Sequence, residues 1–335
     1  MAIHIHFTVR LKIVSIGHCT GGGGIFMLLG RYRLACGFHD DAELPPFKGS
    51  TFRGAFGWAL KRVVCALKTQ QCAKCILRDR CVYCLAFETL PPDGDRRSPS
   101  PPHPFVIEPP LTEQTLFPGE SPFTIDLLLF GYATEYLAYF IYAFEEMGRS
   151  GIGRANGGGR PRFRLLRVMS EGGMVYDPGE GTFFKPVLEP IELPELPVAS
   201  SGSRSTLTVK LETPLRLKFQ NRLHADLPFH VLVRGMLRRI STLHEHFGNG
   251  EPPLDYRGLV ARAEQVETVT SRLQWFDWKR YSNRQDQAML MGGVTGEITY
   301  RGWLNEFIPL IKYCETVHVG KATTFGLGKI RAQES

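Results

Sequence analysis

The sequence has no uninterrupted apolar stretch of the length that a bilayer crossing requires. Its most apolar run, Ile125 to Phe144, contains Asp126 and Glu135 and reads as a strand, a turn and an amphipathic helix. The first residues lack the charged, apolar and cleavage segments of a secretion signal. Two nucleotide-binding patterns also fail. Gly320-Lys321 is followed by Ala322 rather than Ser or Thr, and Asn156 stands where a dinucleotide fingerprint needs its third glycine. Cysteine is sparse outside one cluster, which suits a reducing compartment and a metal site better than a disulfide framework. A cytoplasmic protein with no membrane partner is expected. From Arg149 to Arg167 acidic residues are missing altogether, while six arginines are present.

What is there supports two modest domains. The chain has 335 residues, 43% of them hydrophobic and 22% charged, enough for each half to bury its own core. A net charge of +7 points to a polyanionic partner. Residues 1–26, with the four-glycine run Gly21 to Gly24, are expected to be an extension, and Met27 the natural start.

A strand is predicted over Leu28 to Phe38 and a helix after Ser50 or Thr51, with Phe52, Phe56, Ala59, Leu60, Val63, Val64 and Leu67 on one stripe. The cysteine segment 65–84 follows. The proline-dense residues 91–110 are expected to form a long surface loop, because proline removes backbone donors. A second helix is expected over Thr134 to Met147 and a strand over Phe163 to Met169. Residues 186–205, rich in Pro, Glu and Ser, read as a linker between a first domain, 27–185, and a second, 206–335. The order then recurs: a strand over Leu207 to Phe219, a helix over Phe229 to Phe247, strands near Val266 to Tyr281 and Met289 to Tyr300, a helix over Trp303 to Cys314, and a strand around Ile330. Strand, helix, two strands, helix, strand is the ferredoxin-like order, so the predicted fold is α+β, in tandem ferredoxin-like domains with an inserted Cys-rich loop.

Two motifs recur in register. Phe52-Arg53-Gly54-Ala55-Phe56 is matched by Val233-Arg234-Gly235-Met236-Leu237, and Ser150-Gly151-Ile152-Gly153-Arg154 by Phe325-Gly326-Leu327-Gly328-Lys329. Repeated glycines permit positive φ and let backbone amides approach an anion. The first loop is followed by Arg160, Arg162 and Arg164, and the second is flanked by His318, Lys321 and Lys329. Glycine plus cations is what a phosphate chain needs. For one loop alone, a solvated turn is an equal alternative; the pair favours RNA.

Cys72-x-x-Cys75 and Cys81-x-x-Cys84 supply four thiolates that can enclose a structural zinc, or an iron–sulfur cluster less readily, with Cys65 as a possible substitute ligand. Phe163, Trp275, Trp278 and Tyr281 are candidates for stacking on bases, although strand aromatics are usually core.

At these positions the chain resembles the CRISPR pre-crRNA-processing endoribonucleases of the RAMP superfamily. The resemblance is carried by Pro45 to Gly57, Arg280-Tyr281-Ser282-Asn283-Arg284-Gln285, Met291-Gly292-Gly293-Val294-Thr295-Gly296 and His318 to Gly328, and it covers nearly everything from Met27 onward. It implies tandem ferredoxin-like domains that grip CRISPR repeat RNA or guide RNA and cut it without a catalytic metal. The implied reaction is attack of the 2′-OH on the adjacent phosphate, leaving a 2′,3′-cyclic phosphate. Such chemistry needs a base, a cation for the oxyanion and an acid. A histidine shortly after the first strand is one arrangement of that family, and His39 occupies that region, with Lys48 and Tyr32 nearby in sequence and His318 as runner-up. An exposed loop histidine without a role is an equal reading of His39. The RNA-binding set expected is Arg53, Arg149, Gly151, Gly153, Arg154, Arg160, Arg162, Arg164, Arg234, Tyr281, His318, Lys321, Gly326, Gly328 and Lys329. A non-cutting guide-RNA-binding subunit of an effector complex is the alternative, and a zinc-containing RNA-binding protein unrelated to CRISPR a third.

Overall fold

The computed structural model describes residues 25–68, 71–89, 101–155, 157–197, 203–220, 222–223, 225–282 and 287–334, with only the backbone of 279–282 and 287–289. The expected extension, apart from Ile25 and Phe26, lies outside the described residues.

The first half opens with strand β1, Phe26–Phe38, which near its centre alternates buried Gly30, Tyr32 and Leu34 with exposed Arg31 and Arg33. Helix α1, Gly49–Val64, follows. Its inward stripe is Phe52, Phe56, Ala59 and Leu60, as periodicity predicts. The stripe ends there: Val63 is partly exposed and Leu67 lies outside the helix and is exposed. Neither Ser50 nor Thr51 caps it, since Lys48 holds the N-cap position. A short helix α2, Val82–Phe87, closes the cysteine segment.

The expected loop over 91–110 needs correction at its end. Phe105–Glu108 is strand β2, and all four residues are buried. The prolines flank the strand, so they remove none of its ladder hydrogen bonds. Residues 91–100 lie outside the described residues. Strand β3, Pro122–Phe130, pairs antiparallel with both β2 and β1, and helix α3, Leu137–Ser150, follows a 3-10 turn at Gly131–Tyr136. Strand β4, Phe163–Ser170, lies along the other edge of β1 and extends the sheet to β5, Gly173–Asp177, and β6, Thr182–Phe183.

The expected linker is partly structural. Within 186–205, Glu189–Glu192 forms β7 and pairs with Phe26–Leu29 of β1. Composition hid this strand because its pairing partner lies far back in the chain.

The second half repeats the order. Strand β8, Ser205–Leu215, is followed by α4, Phe229–Phe247, and α5, Tyr256–Ala263. The long hairpin β9, Glu267–Ser282, and β10, Gln287–Gly302, comes next, then α6, Ile308–Val317, and β11, Ile330–Glu334. The four core strands of the first half lie in the order β2-β3-β1-β4, and those of the second in the order β9-β10-β8-β11. Numbered within each half, both are 2-3-1-4, the antiparallel ferredoxin-like arrangement. Among the described residues no helix is long and apolar enough to cross a membrane.

The halves share a core. One face of the first sheet packs on α1 and α3 through Phe38, Phe56, Phe105, Phe140 and Phe144. The other face contributes Met27, Val106, Leu128 and Phe130 to the cluster formed by α4, α6 and the second sheet. A strand buried on both faces explains why β3 reads as a nearly continuous apolar run.

Phe56 sits at the centre of an aromatic cluster, with Phe144 at 4.7 Å and Phe140 at 5.4 Å between ring centroids. Phe56→Ala is expected to lower unfolding free energy by about 3–5 kcal/mol, measured by urea denaturation. A loss under 1 kcal/mol would contradict this packing.

Candidate nucleic-acid interface

Both glycine loops flank one segment of the first half. In the first, the Arg154 amide donates to the Glu43 carbonyl at 3.0 Å, and Gly153 (φ +87°) lies so close to that carbonyl that a side chain would collide with it. In the second, the Phe325 carbonyl rests directly on Gly49, leaving no room for a side chain there. Six residues separate Glu43 from Gly49, a reach of about 21 Å at full extension. The two loops therefore meet this segment at points no farther apart than that reach. The glycines permit this packing: Gly151 meets the Arg160 carbonyl, Gly326 that of Ile107, and Gly328 that of Val319.

His39 follows the last residue of β1 and is exposed. Its amide donates to the Arg162 carbonyl at 2.9 Å, which sets the exposed Arg162 next to it on the adjoining chain. Around the second loop, Lys321 donates its amide to the Arg216 carbonyl. Partial burial lowers the Lys321 pKa, and the neighbouring charges of Lys218, Arg238 and Arg216 lower it further. Four cations concentrated this way form a site for an anion.

The other candidates are placed less openly. Tyr32 is buried, and its hydroxyl lacks a hydrogen-bond partner among the described residues. It precedes His39 by seven strand residues, about 23 Å, so the two do not meet. Burial pushes its pKa up to about 12. Lys48 is buried too. Its ammonium donates to the carbonyls of Thr112 at 2.5 Å and Pro46 at 3.1 Å. Both corrections have one cause: residues close in sequence need not face one cleft.

His318 is also removed from solvent. It is fully buried at the end of α6, with Nδ1 at 2.9 Å from the Leu327 carbonyl and Nε2 at 2.8 Å from Glu108 Oε1. Its backbone, at φ +64° and ψ 161°, is in a region costly for any residue but glycine. Both ring contacts hold it there. Lys329 reaches the other oxygen, Oε2 of Glu108, at 2.6 Å. This carboxylate comes from β2 of the first half, so His318 and Lys329 join the halves instead of waiting for RNA. Burial alone would raise the Glu108 pKa; the hydrogen bonds and electrostatic attraction of His318 and Lys329 overcome it and hold the value at about 2.

Several arginines are paired with acids: Arg149 with Glu145 and Glu146, Arg154 with Glu43, Arg164 with Glu120, and Arg234 with Glu264. These pairs are exposed and weak, so phosphate can compete for the cations. Arg160 donates to the Gly153 carbonyl and braces the first loop. Arg53 stacks over Phe87 and Phe325, bridging α1 to the second loop. Tyr281 has its backbone in the β9–β10 hairpin, and its side chain lies outside the described residues. Phe163 is core, Trp278 donates to the Ser50 hydroxyl at 3.2 Å, and Trp275 remains largely exposed. Arg216, Lys218 and Arg238 were not singled out in the sequence. They lie just after β8, in the short strand Lys218–Phe219 and on α4, and only folding brings them to Lys321.

The fold defines the class: a tandem ferredoxin-like α+β protein. The family model described as CRISPR-associated endoribonuclease Cas6 matches residues 209–330, and an N-terminal-domain model, AF_1859_N, matches 27–188. The likeness to that endoribonuclease family thus lies in the second half of the chain. An uncharacterized protein of Archaeoglobus fulgidus is 28% identical over 301 residues, covering 88% of this chain and 94% of its own length. Two solved structures share the fold. One is a Cas6 product complex, whose protein is from Thermus thermophilus (TM-score 0.52, 17% identity, 91% of this chain and 100% of that one). The other is a partial Cas6-RT-Cas1–Cas2 complex (TM-score 0.54, 13% identity, 92% of this chain). The present chain spans 46% of that longer chain.

Glu108→Gln should remove the charge that joins the halves. At neutral pH the expected loss is about 3–5 kcal/mol, measured by urea denaturation. Because the folded pKa is depressed from 4.5 to about 2, the contribution is present above pH 4.5 and lost as pH falls toward 2. The variant's stability should therefore fall less steeply than the parent's across that window.

Proposed function

We propose that the chain cuts CRISPR repeat RNA to release guide RNA, with His39 as base and Arg162 beside it for the developing oxyanion. His39 takes the proton of a ribose 2′-OH, the oxygen attacks the adjacent phosphorus, and the bond to the 5′-oxygen breaks as that oxygen takes a proton from water. The products are a 2′,3′-cyclic phosphate and a 5′-OH, and no metal is needed. DNA lacks the nucleophile, so the choice of RNA follows from the chemistry. The observation that supports this most is the position of an exposed histidine and arginine where one glycine loop meets the segment that the other loop also flanks. The cations around Lys321 then serve as the phosphate-gripping part of the same path. Other CRISPR proteins are natural partners for such a subunit, as the fold's occurrence in a Cas6-RT-Cas1–Cas2 complex suggests.

One observation favours a guide-RNA-binding subunit that does not cut. Of the four groups singled out for chemistry, Tyr32, Lys48 and His318 are buried, and His39 alone meets solvent. Incubation with repeat RNA in EDTA separates the readings. Cleavage at one position with a cyclic phosphate, stopped by 2′-deoxy substitution there, supports the nuclease; tight binding without a cut supports the subunit. His39→Ala should slow cleavage by about 10²–10⁴-fold and leave RNA affinity within twofold. Replacing Lys218, Arg238 and Lys321 with alanine should weaken binding and reduce the slope of log affinity against log salt by about 2. An unchanged slope places the RNA elsewhere.

A further inference from the structure

The cysteine segment has a construction that the RNA-binding reading does not use. Between α1 and α2 the chain makes two 3-10 turns, Cys72–Lys74 and Arg78–Arg80, and neither contains a buried residue. Ile76 and Leu77 between them are exposed, Ile76 at 90%. The segment therefore has no apolar core to fix its path. It is nevertheless regular. The Cys75 amide donates to the Cys72 carbonyl at 3.2 Å, Arg78 to Cys75 at 3.1 Å and Cys81 to Arg78 at 3.3 Å.

This series of turns brings the thiols back on one another. Cys84, on the first turn of α2, is buried, and the thiols of Cys72 and Cys81 lie close enough to interact with it directly. Burial first, and these two neighbours after it, push its pKa up to about 12. No disulfide joins any of the described cysteines. Among the described residues, no three His, Cys, Asp or Glu side chains are drawn in to metal-ligand distance. The donor set nevertheless fits a tetrahedral ion in kind and number: Cys72 and Cys81 neighbour Cys84, and Cys75 completes the first Cys-x-x-Cys turn.

We propose that Cys72, Cys75, Cys81 and Cys84 bind one structural zinc ion as thiolates. Zinc is chosen because four soft sulfur donors in two short turns match its tetrahedral site. The ion would replace the core that the segment lacks and fix a tip carrying Lys74, Arg78 and Arg80. The site takes no part in cutting RNA. None of its four cysteines is among the groups assigned to cutting or gripping RNA.

The full chain, purified without chelator, is to be analysed for metals by mass spectrometry. One zinc per chain is expected, retained in Cys65→Ser and reduced at least tenfold in Cys72→Ser/Cys81→Ser. A second measurement uses the unaltered protein, so that the test does not depend on the folding of the double variant. Removing zinc with p-hydroxymercuribenzoate and a colorimetric chelator should speed tryptic cleavage after Lys74, Arg78 and Arg80 at least tenfold, while repeat-RNA binding stays within twofold. Folded protein with less than 0.1 zinc per chain overturns the proposal. So does iron with acid-labile sulfide in place of zinc, or zinc that remains in the double variant.

Discussion

One buried carboxylate holds the two halves in register. Glu108 is placed by β2, at the edge of the first sheet, and both its oxygens are taken by side chains of the second half, His318 and Lys329. A buried carboxylate without partners would be strongly disfavoured, so docking the halves and satisfying this group are a single event. His318 adopts a strained backbone to reach it, and Gly326 and Gly328 let the following loop close over it. Arg239 acts alongside. It is buried, donates to the Val317 carbonyl at the end of α6 at 2.9 Å, and lies 5.4 Å from the ring of Phe130 in the first sheet. A cation at a helix C-terminus also meets the negative end of the helix dipole.

This constraint changes the meaning of the glycine loops. Their glycines serve close backbone packing: the first loop presses on Glu43 and the second on Gly49 and β2. The charge that remains available to a polyanion sits beside the loops, at Arg162 and in the group around Lys321. Duplication thus gave two equivalent loops that now do different work. The second is the clasp between the halves, and the first lies beside the exposed histidine.

Much of the fold was legible in the sequence. Helix α4 was readable to its ends because an amphipathic period carries its own boundary information. The tandem order followed from the repeat of short motifs. The strands β2 and β7 were not legible, since Phe105–Glu108 is short and surrounded by prolines, and Glu189–Glu192 is polar. Each is a strand because of the edge it pairs with, and pairing is a non-local property.

The sequence by itself determined the fold class and its duplication and gave the chain its excess of positive charge, because periodicity, repeated motifs and charge are local features or sums over them. Tertiary structure decided which titratable groups meet solvent. It buried Tyr32, Lys48 and His318, left His39 outside, and drew Arg216, Lys218 and Arg238 around Lys321. The reason is physical: exposure depends on what packs against a residue, and the packing partners of Lys48 and His318 lie about 60 and 210 residues away along the chain.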